Sequence, residues 1–392
     1  MGVLFNDVVI NKLSGGLGRR TPDQDMVSGL LFNGLDTSEL EDEKLHRLAS
    51  LDDAKALGIN QDYDSGGESA YYQISQFFRM NPSGDLFLYK NKDATSFADL
   101  VSKAETMLLQ ANGEIRQLAV TYNKDITFDQ TLNAVAAAKT ITDAAFDNHR
   151  PVEIIIEGKG FDASKSPADL RGYGASNVSV MVAMDTEKAK EDTYSNTAAV
   201  GVLLGAISRA KVSENIAWIE KFNLTGEGFR SVGFIRGKEL PTEGAQKTLD
   251  QNKYIFTRTH IGIAGIYFND SHTCTEPTSD FTYIEANRTI NKAARIARAS
   301  LLPKVNAPVL VDPELGTLPP SVVKGYETLC RSALERMVAN GEASEIDVYV
   351  DPSQNILSSS LLQVKIEVIP TGTARRIEVN LGFKNPFGLT TA

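Results

Sequence analysis

Between residues 84 and 210, short apolar runs alternate with segments whose apolar residues recur at helical spacing, and this pattern constrains the fold more than any other feature. The apolar runs are continuous, which is typical of strands in parallel sheets that helices cover on both faces. The predicted strands are 86–89, 115–122, 152–157 and 178–184. The predicted helices are 97–110, 131–146 and 197–210. We therefore expect a mainly parallel or mixed sheet flanked by helices in the middle of the chain.

Residues 254–383 follow a different order. A strand pair at 254–268 is followed by a helix at 283–301, a proline-rich connector and a second helix at 321–340. Three strand-like runs come last, and they alternate polar and apolar residues as half-exposed antiparallel strands do. These runs are 347–350, 362–369 and 376–383. The predicted fold class is α/β and α+β: an alternating central region and a C-terminal α/β domain with antiparallel terminal strands and extended terminal arms.

The pattern predicts four parts: an N-terminal arm at 1–20, an α/β domain at 21–253, a C-terminal domain at 254–383 and a tail at 384–392. The N-terminal arm contains Val8, Val9 and Ile10 before a glycine-rich break, although a first strand paired inside its own domain is an alternative. The last predicted strand alternates apolar and polar residues, so one of its faces requires burial. Such strands at the termini can pair with a neighbouring subunit. Its apolar residues are Ile377, Val379, Leu381 and Phe383.

The helix at 283–301 carries a stripe of basic residues. Spacings of four, three and three residues put them on one side of the helix, with apolar residues on the opposite side. One interpretation is a solvated face, and the other is an electrostatic contact for an acidic partner. We expect the stripe to face outward. Its members are Arg288, Lys292, Arg295 and Arg298.

Composition excludes several classes of protein. The formal net charge is −10 and the isoelectric point is about 5.1, which argues against a general nucleic-acid-binding protein. Two cysteines do not make a disulfide scaffold, and they favour a reducing compartment. The N-terminal residues do not resemble a signal peptide, and no apolar run reaches the length of a membrane span, so no direct membrane insertion is expected.

No pattern of catalytic, cofactor-binding or metal-binding residues stands out. The glycine-rich residues 14–20 differ from a phosphate-binding loop, and no strong strand and helix surround them. The four histidines lack metal-binding spacing, and no nucleophile-elbow motif is present. We therefore expect no enzyme activity, cofactor or metal, and the chemistry of the chain points to assembly.

Several segments together resemble the tail sheath proteins of contractile phage tails and of related contractile injection systems. The residues 259–268 (THIGIAGIYF) precede Asp280 and the run YIEANR, which ends at Arg288. This order is similar to the family's strand before an arginine-bearing helix. Further similar segments are LGTL at 315–318, VANGE at 338–342, VDP at 350–352 and VIP at 368–370. Upstream, LDDAKALG at 51–58 followed by Phe77 and Phe78 is similar to an early segment of the family.

The resemblance implies a structural subunit that stacks as hexameric rings around an inner tail tube protein and contracts to drive the tube through a target envelope. It implies that terminal arms pair with neighbouring subunits, that the basic stripe faces the tube, and that baseplate and tail terminator proteins are further partners. It also implies a virion tail or prophage-derived particle that assembles in the bacterial cytoplasm. An α/β enzyme acting on a small molecule and another tail or baseplate component remain alternatives.

Overall fold

We describe the protein from a computed structural model that covers residues 24–239 and 242–383. The predicted N-terminal arm, with Val8, Val9 and Ile10, lies outside the described residues, as does the predicted tail. The strands are β1 (Val27–Phe32), β2 (Leu45–Leu48), β3 (Asp85–Lys90), β4 (Gln117–Thr121), β5 (Glu153–Glu157), β6 (Val178–Met181), β7 (Gly233–Phe234), β8 (Lys238–Glu239), β9 (Tyr254–Ile255), β10 (Thr257–His260), β11 (Ile263–Phe268), β12 (Ala343–Tyr349) and β13 (Lys365–Pro370).

The α-helices of the described residues include a long pair, α9 and α10, near the C-terminus. Short 3₁₀ turns occur as well, and the one at Gln24–Met26 leads directly into β1. The helices are α1 (Leu51–Ala56), α2 (Gln61–Asp64), α3 (Ala70–Met80), α4 (Phe97–Ser102), α5 (Ala104–Gln110), α6 (Phe128–Asp147), α7 (Val200–Arg209), α8 (Glu243–Gln251), α9 (Ile284–Leu301), α10 (Pro320–Ala339) and α11 (Ile356–Ser359).

Seven strands form one mixed sheet in the order β2-β3-β1-β4-β5-β6-β9. All neighbours are parallel except β2, which runs antiparallel to β3 at one edge. Every residue of β1, β3, β4, β5 and β6 is buried. Burial of consecutive residues requires cover on both faces of a sheet, which is why these strands are continuously apolar in sequence. The predicted fold class is confirmed.

Local sequence explains where two of the helices lie. Helix α1 begins after Ser50, whose hydroxyl accepts a hydrogen bond from the Asp53 amide while the Asp53 carboxylate accepts one from the Ser50 amide. Helix α7 packs on α3 at Gly201, where a Cβ atom would lie 2.1 Å from the carbonyl oxygen of Gln73. Only glycine permits this close approach of the two helices.

A second, smaller core lies beyond the sheet. It is built from α9, α10, β12 and β13 around buried residues such as Cys330 and Leu334. The large core continues as far as Ile284, and Tyr254–Ile255 pairs with β6 inside the main sheet. The predicted domain boundary after residue 253 therefore cuts through the first core. We propose α9 as the divide, because its first turn packs in the first core and its Ala293 in the second.

The structure differs from the predicted elements at the C-terminal end. Two of the three predicted strands correspond to β12 and β13, which pair antiparallel with Ile346 opposite Val368. The third, 376–383, is not a strand in the structure. A strand requires a hydrogen-bonded neighbour, and the described part of the chain supplies none to this segment. None of the described helices is long and apolar enough to cross a membrane.

Candidate assembly site

Helix α9 brings the predicted basic stripe to the junction of the two cores. Its first residues are buried against the large sheet, whereas its last residues approach the surface. The four basic residues therefore lie in different surroundings, although they share one side of the helix. The sequence pattern is amphipathic, but part of its polar side faces the rest of the protein.

Arg288 is buried, with 4% of its surface exposed. Its guanidinium donates hydrogen bonds to the backbone carbonyls of Ala210 and Lys211 at 3.2 Å and to that of Asp25 at 3.3 Å. Burial lowers the pKa of Arg288, and the nearby charges of Asp25 and Glu153 oppose this effect. The expectation that Arg288 faces outward is wrong, because its side chain satisfies backbone carbonyls inside the protein.

Lys292 and Arg295 form ion pairs within the chain. Lys292 Nζ lies 2.5 Å from Asp25 Oδ2 and 2.8 Å from Glu342 Oε1, and Arg295 Nη2 lies 2.8 Å from Asp25 Oδ1. Burial acts to raise the pKa of Asp25, but the hydrogen bond and charge of Lys292 and the charge of Arg295 lower it below its ordinary value of 3.8. The expectation of an outward face is wrong for these two residues also, since both are largely enclosed by their acidic partners.

This junction cluster, defined as Asp25, Arg288, Lys292, Arg295 and Glu342, joins distant parts of the chain. Asp25 lies two residues before β1 of the large sheet, and Glu342 directly precedes β12 of the small one. Helix α9 lies between them and binds both carboxylates. Buried ion pairs fix the mutual position of the groups that they join, because leaving any one of them unpaired is costly.

Arg298 is the member of the stripe with an exposed side chain. It lies one turn before the end of α9, and the described residues make no ion pair with it. Its predicted contact with a tube stays a prediction.

A buried carboxylate forms a second link between the sheet and α9. Glu153 of β5 accepts hydrogen bonds from the side-chain amides of Asn177 and Asn291 through the same oxygen, Oε1. Its other oxygen is buried and has no hydrogen-bond partner among the described residues. Burial raises the pKa of Glu153 to about 8, against the opposing hydrogen bond of Asn177 and the charge of Arg288.

The C-terminal segment 376–383 presents an exposed apolar series. Its backbone forms no strand pairing with β13 or any other described strand. A single exposed apolar residue is ordinary, but four at alternate positions are not. The exposed fractions are 80% for Ile377, 78% for Val379, 96% for Leu381 and 110% for Phe383.

The small sheet of β12 and β13 has unpaired edges of its own. It contains two strands, and one face packs on α10 through Ile346 and Val348. Two-stranded sheets are marginally stable without further support, and an open edge can accept a further strand. The protein therefore shows both an unpaired apolar segment and an unpaired sheet edge.

The described residues show no candidate metal centre. No group of three or more histidine, cysteine or acidic side chains in residues 24–239 and 242–383 could hold a metal ion. His272 Nε2 lies 2.8 Å from Asp250 Oδ1, and Cys274 is buried with its pKa raised by burial. Sequence analysis missed the acidic partners of the stripe, because they lie far from α9 in the chain.

Comparison with family models gave matches over nearly the whole chain. A model of the DUF2586 N-terminal domain matches residues 5–272, and one of the DUF2586 C-terminal domain matches residues 280–388. No curated protein matches the sequence.

Several solved structures share the fold. The anti-feeding prophage (AFP) helical sheath in the contracted state is 16% identical, covers 98% of this chain and 100% of its own, and gives a TM-score of 0.67. The PVC sheath complex of an extracellular contractile injection system, also contracted, is 12% identical over 98% of this chain and 99% of its own, with a TM-score of 0.63. A sheath tail protein from Desulfitobacterium hafniense is 10% identical over 93% and 100%, with a TM-score of 0.54. The resemblance to sheath proteins is thus confirmed at the level of the fold.

Proposed function

The chain belongs to the DUF2586 family and has the fold of contractile sheath proteins, and we propose that it is the structural subunit of a contractile tail sheath. The observation that carries the proposal is the exposed apolar segment at 377–383 beside a small sheet with unpaired edges. A monomer gains nothing from such a segment, whereas a polymer can bury it. Subunits would stack as hexameric rings around an inner tube protein, with baseplate and terminator proteins at the ends.

The linkage between subunits would use strand addition. When the segment pairs with a neighbour's sheet edge, its backbone groups form hydrogen bonds and its alternate side chains become buried together. Burying one large apolar side chain contributes about 1.5–3 kcal/mol, from which the cost of ordering the segment is subtracted. Four such side chains per subunit, repeated through many rings, supply a large cohesive energy. The N-terminal arm, with Val8, Val9 and Ile10, is proposed to link subunits in the same way.

The junction cluster suits a subunit that transmits force. Contraction rearranges subunits, and α9 lies on one path along which a load can pass from the terminal strands to the large sheet. Asp25 and Glu342 bind α9 from both sides, so the two cores move together. The tube contact is assigned to the exposed Arg298, since the other three basic residues are engaged inside the subunit.

Truncation tests the proposal. Removing residues 376–392 takes away only side chains that are exposed or lie beyond the described residues, so the thermal unfolding temperature of the subunit should stay within a few degrees of the wild type. Polymerisation should be lost. Sedimentation and negative-stain microscopy of concentrated protein measure it. Tubes or rings formed by the truncated chain, or a wild-type chain that stays monomeric with its inner tube protein present, would contradict the proposal.

A further inference from the structure

Within the described residues 371–383, Arg375 makes the ion pairs that hold the C-terminal segment to the body of the protein. Its Nε atom lies 2.9 Å from Asp270 Oδ2, and its Nη2 atom forms an ion pair with Glu285. The guanidinium also lies over the ring of Tyr283, with its central carbon 3.3 Å from the ring centre. Arginine can make these contacts together because it is planar and donates in several directions.

The acceptors of Arg375 are themselves held in place. Asp270 Oδ1 accepts hydrogen bonds from Asn215 Nδ2 at 2.7 Å and from the Ser271 amide at 2.8 Å. Glu285 accepts from Asn215 Nδ2 at 3.2 Å and from the Ser271 hydroxyl. Two carboxylates thus converge on one site, and Arg375 is the cation that forms ion pairs with both.

Burial raises the pKa of Glu285, and the charge of Arg375 acts in the opposite direction. Without Arg375, Glu285 and Asp270 would repel each other in a poorly solvated place. The site therefore has a strong preference for a cation at this position.

The attachment ends abruptly after Arg375. Arg376 has 82% of its side chain exposed, and its ion pair is with Glu378 of the same segment. Beyond it, the apolar side chains from Ile377 to Phe383 are exposed. Before it, residues 371–374 lie outside any regular element after the end of β13.

We propose that Arg375 is the fixed root of the C-terminal arm and that it sets the direction and reach with which the arm is offered to a neighbouring copy of the chain. The proposal rests on the proposed function, and it names the residue that prepares the arm for capture. Loss of the root would move the anchor back to Pro370 and lengthen the free tether by five residues, or about 17 Å when extended. A longer tether lowers the effective concentration of the arm at its acceptor.

The first test measures the arm in dilute monomer. Cys274 and Cys330 are both buried, so a cysteine introduced as N380C provides the accessible labelling site in the described chain. The fluorescence anisotropy of a dye at this position should fall in R375A. It should fall less in R375K, because lysine keeps the positive charge but loses the two guanidinium donors and the stacking on Tyr283. R376A is the matched control and should leave the anisotropy unchanged. Equal anisotropy in R375A and R376A would overturn the root assignment.

The second test measures assembly without the label. R375A should raise the concentration needed for polymerisation by about two- to threefold, and R376A should not change it. If R375A proves poorly folded by circular dichroism, R375K takes its place, with an intermediate increase expected. A loosened arm with unchanged polymerisation would overturn the role in assembly. If the wild type does not polymerise, the proposed function fails. The anisotropy measurement still shows whether Arg375 anchors the arm.

Discussion

Arg295 Nη2 lies 2.8 Å from Asp25 Oδ1, although the two residues are 270 positions apart in the chain. Asp25 belongs to the turn that leads into β1, an interior strand of the large sheet, and Arg295 belongs to α9, the helix that packs in the small core. The ion pair therefore connects the two cores. Lys292 binds the other oxygen of the same carboxylate and connects it to Glu342.

D25N is expected to destabilise the subunit by about 3 kcal/mol, because Lys292 and Arg295 lose a buried partner. Chemical unfolding of monomeric protein measures the change in free energy. D52N is the control, since Asp52 pairs with Lys55 on the exposed surface of α1 and its loss should cost under about 1 kcal/mol. Equal losses in the two variants would show that the junction cluster contributes no more than a surface ion pair.

How far the sequence predicts this structure depends on the range of the interactions involved. The alternation of strands and helices over 84–210 is a local periodicity, and it predicted the parallel sheet. Strand β1 was missed because Ser28 and Gly29 interrupt its apolar run. In the structure a Cβ at Gly29 would lie 2.9 Å from the side chains of Leu118 and Met107, so neighbouring side chains occupy the space above it.

The basic stripe shows the opposite case. Its spacing on α9 was correct, but spacing does not tell whether a polar side of a helix meets water or buried carboxylates. The carboxylates of Asp25 and Glu342 come from the far N-terminal side and from 50 residues later. Helical periodicity contains no information about them. The burial of a basic stripe at the junction of two cores is predictable only once the cores are known.

Stability should depend on pH through Glu153. Burial raises its pKa from 4.5 to about 8, so between these values the unfolded chain releases a proton that the folded chain keeps. Unfolding is then favoured as the pH rises, by up to about 1.4 kcal/mol per pH unit. E153Q removes this contribution, and its stability relative to wild type should increase from pH 5 to pH 8.

Urea unfolding of both proteins at four pH values measures this difference. E105Q, at an exposed position on α5, serves as the matched control for the loss of one carboxylate. A constant difference for E153Q would mean that Glu153 is ionised in the folded protein.

The tube contact assigned to Arg298 predicts a dependence on salt. R298E should weaken binding of the subunit to an acidic inner tube, and the loss should be larger at low than at high ionic strength, because salt screens exposed charges. Co-sedimentation with the tube protein at two salt concentrations measures it. R209E reverses another exposed arginine, on α7, and should have a smaller effect. Equal binding by R298E and wild type at all salt concentrations would mean that no residue of the basic stripe contacts the tube.

The arm should be captured through one of its faces. If residues 377–383 pair as a strand with a neighbour, alternate side chains point to the same side, so Val379 and Leu381 are buried together while Glu378 and Asn380 face the opposite way. The double variant V379D/L381D should prevent polymerisation, because two charges would enter an apolar contact.

The matched variant E378A/N380A should polymerise nearly as well as wild type. Both should unfold at the wild-type temperature, since all four side chains are exposed in the subunit. Sedimentation across a range of protein concentrations separates the two variants, and similar losses in both would mean that the segment acts as a flexible linker without a buried face.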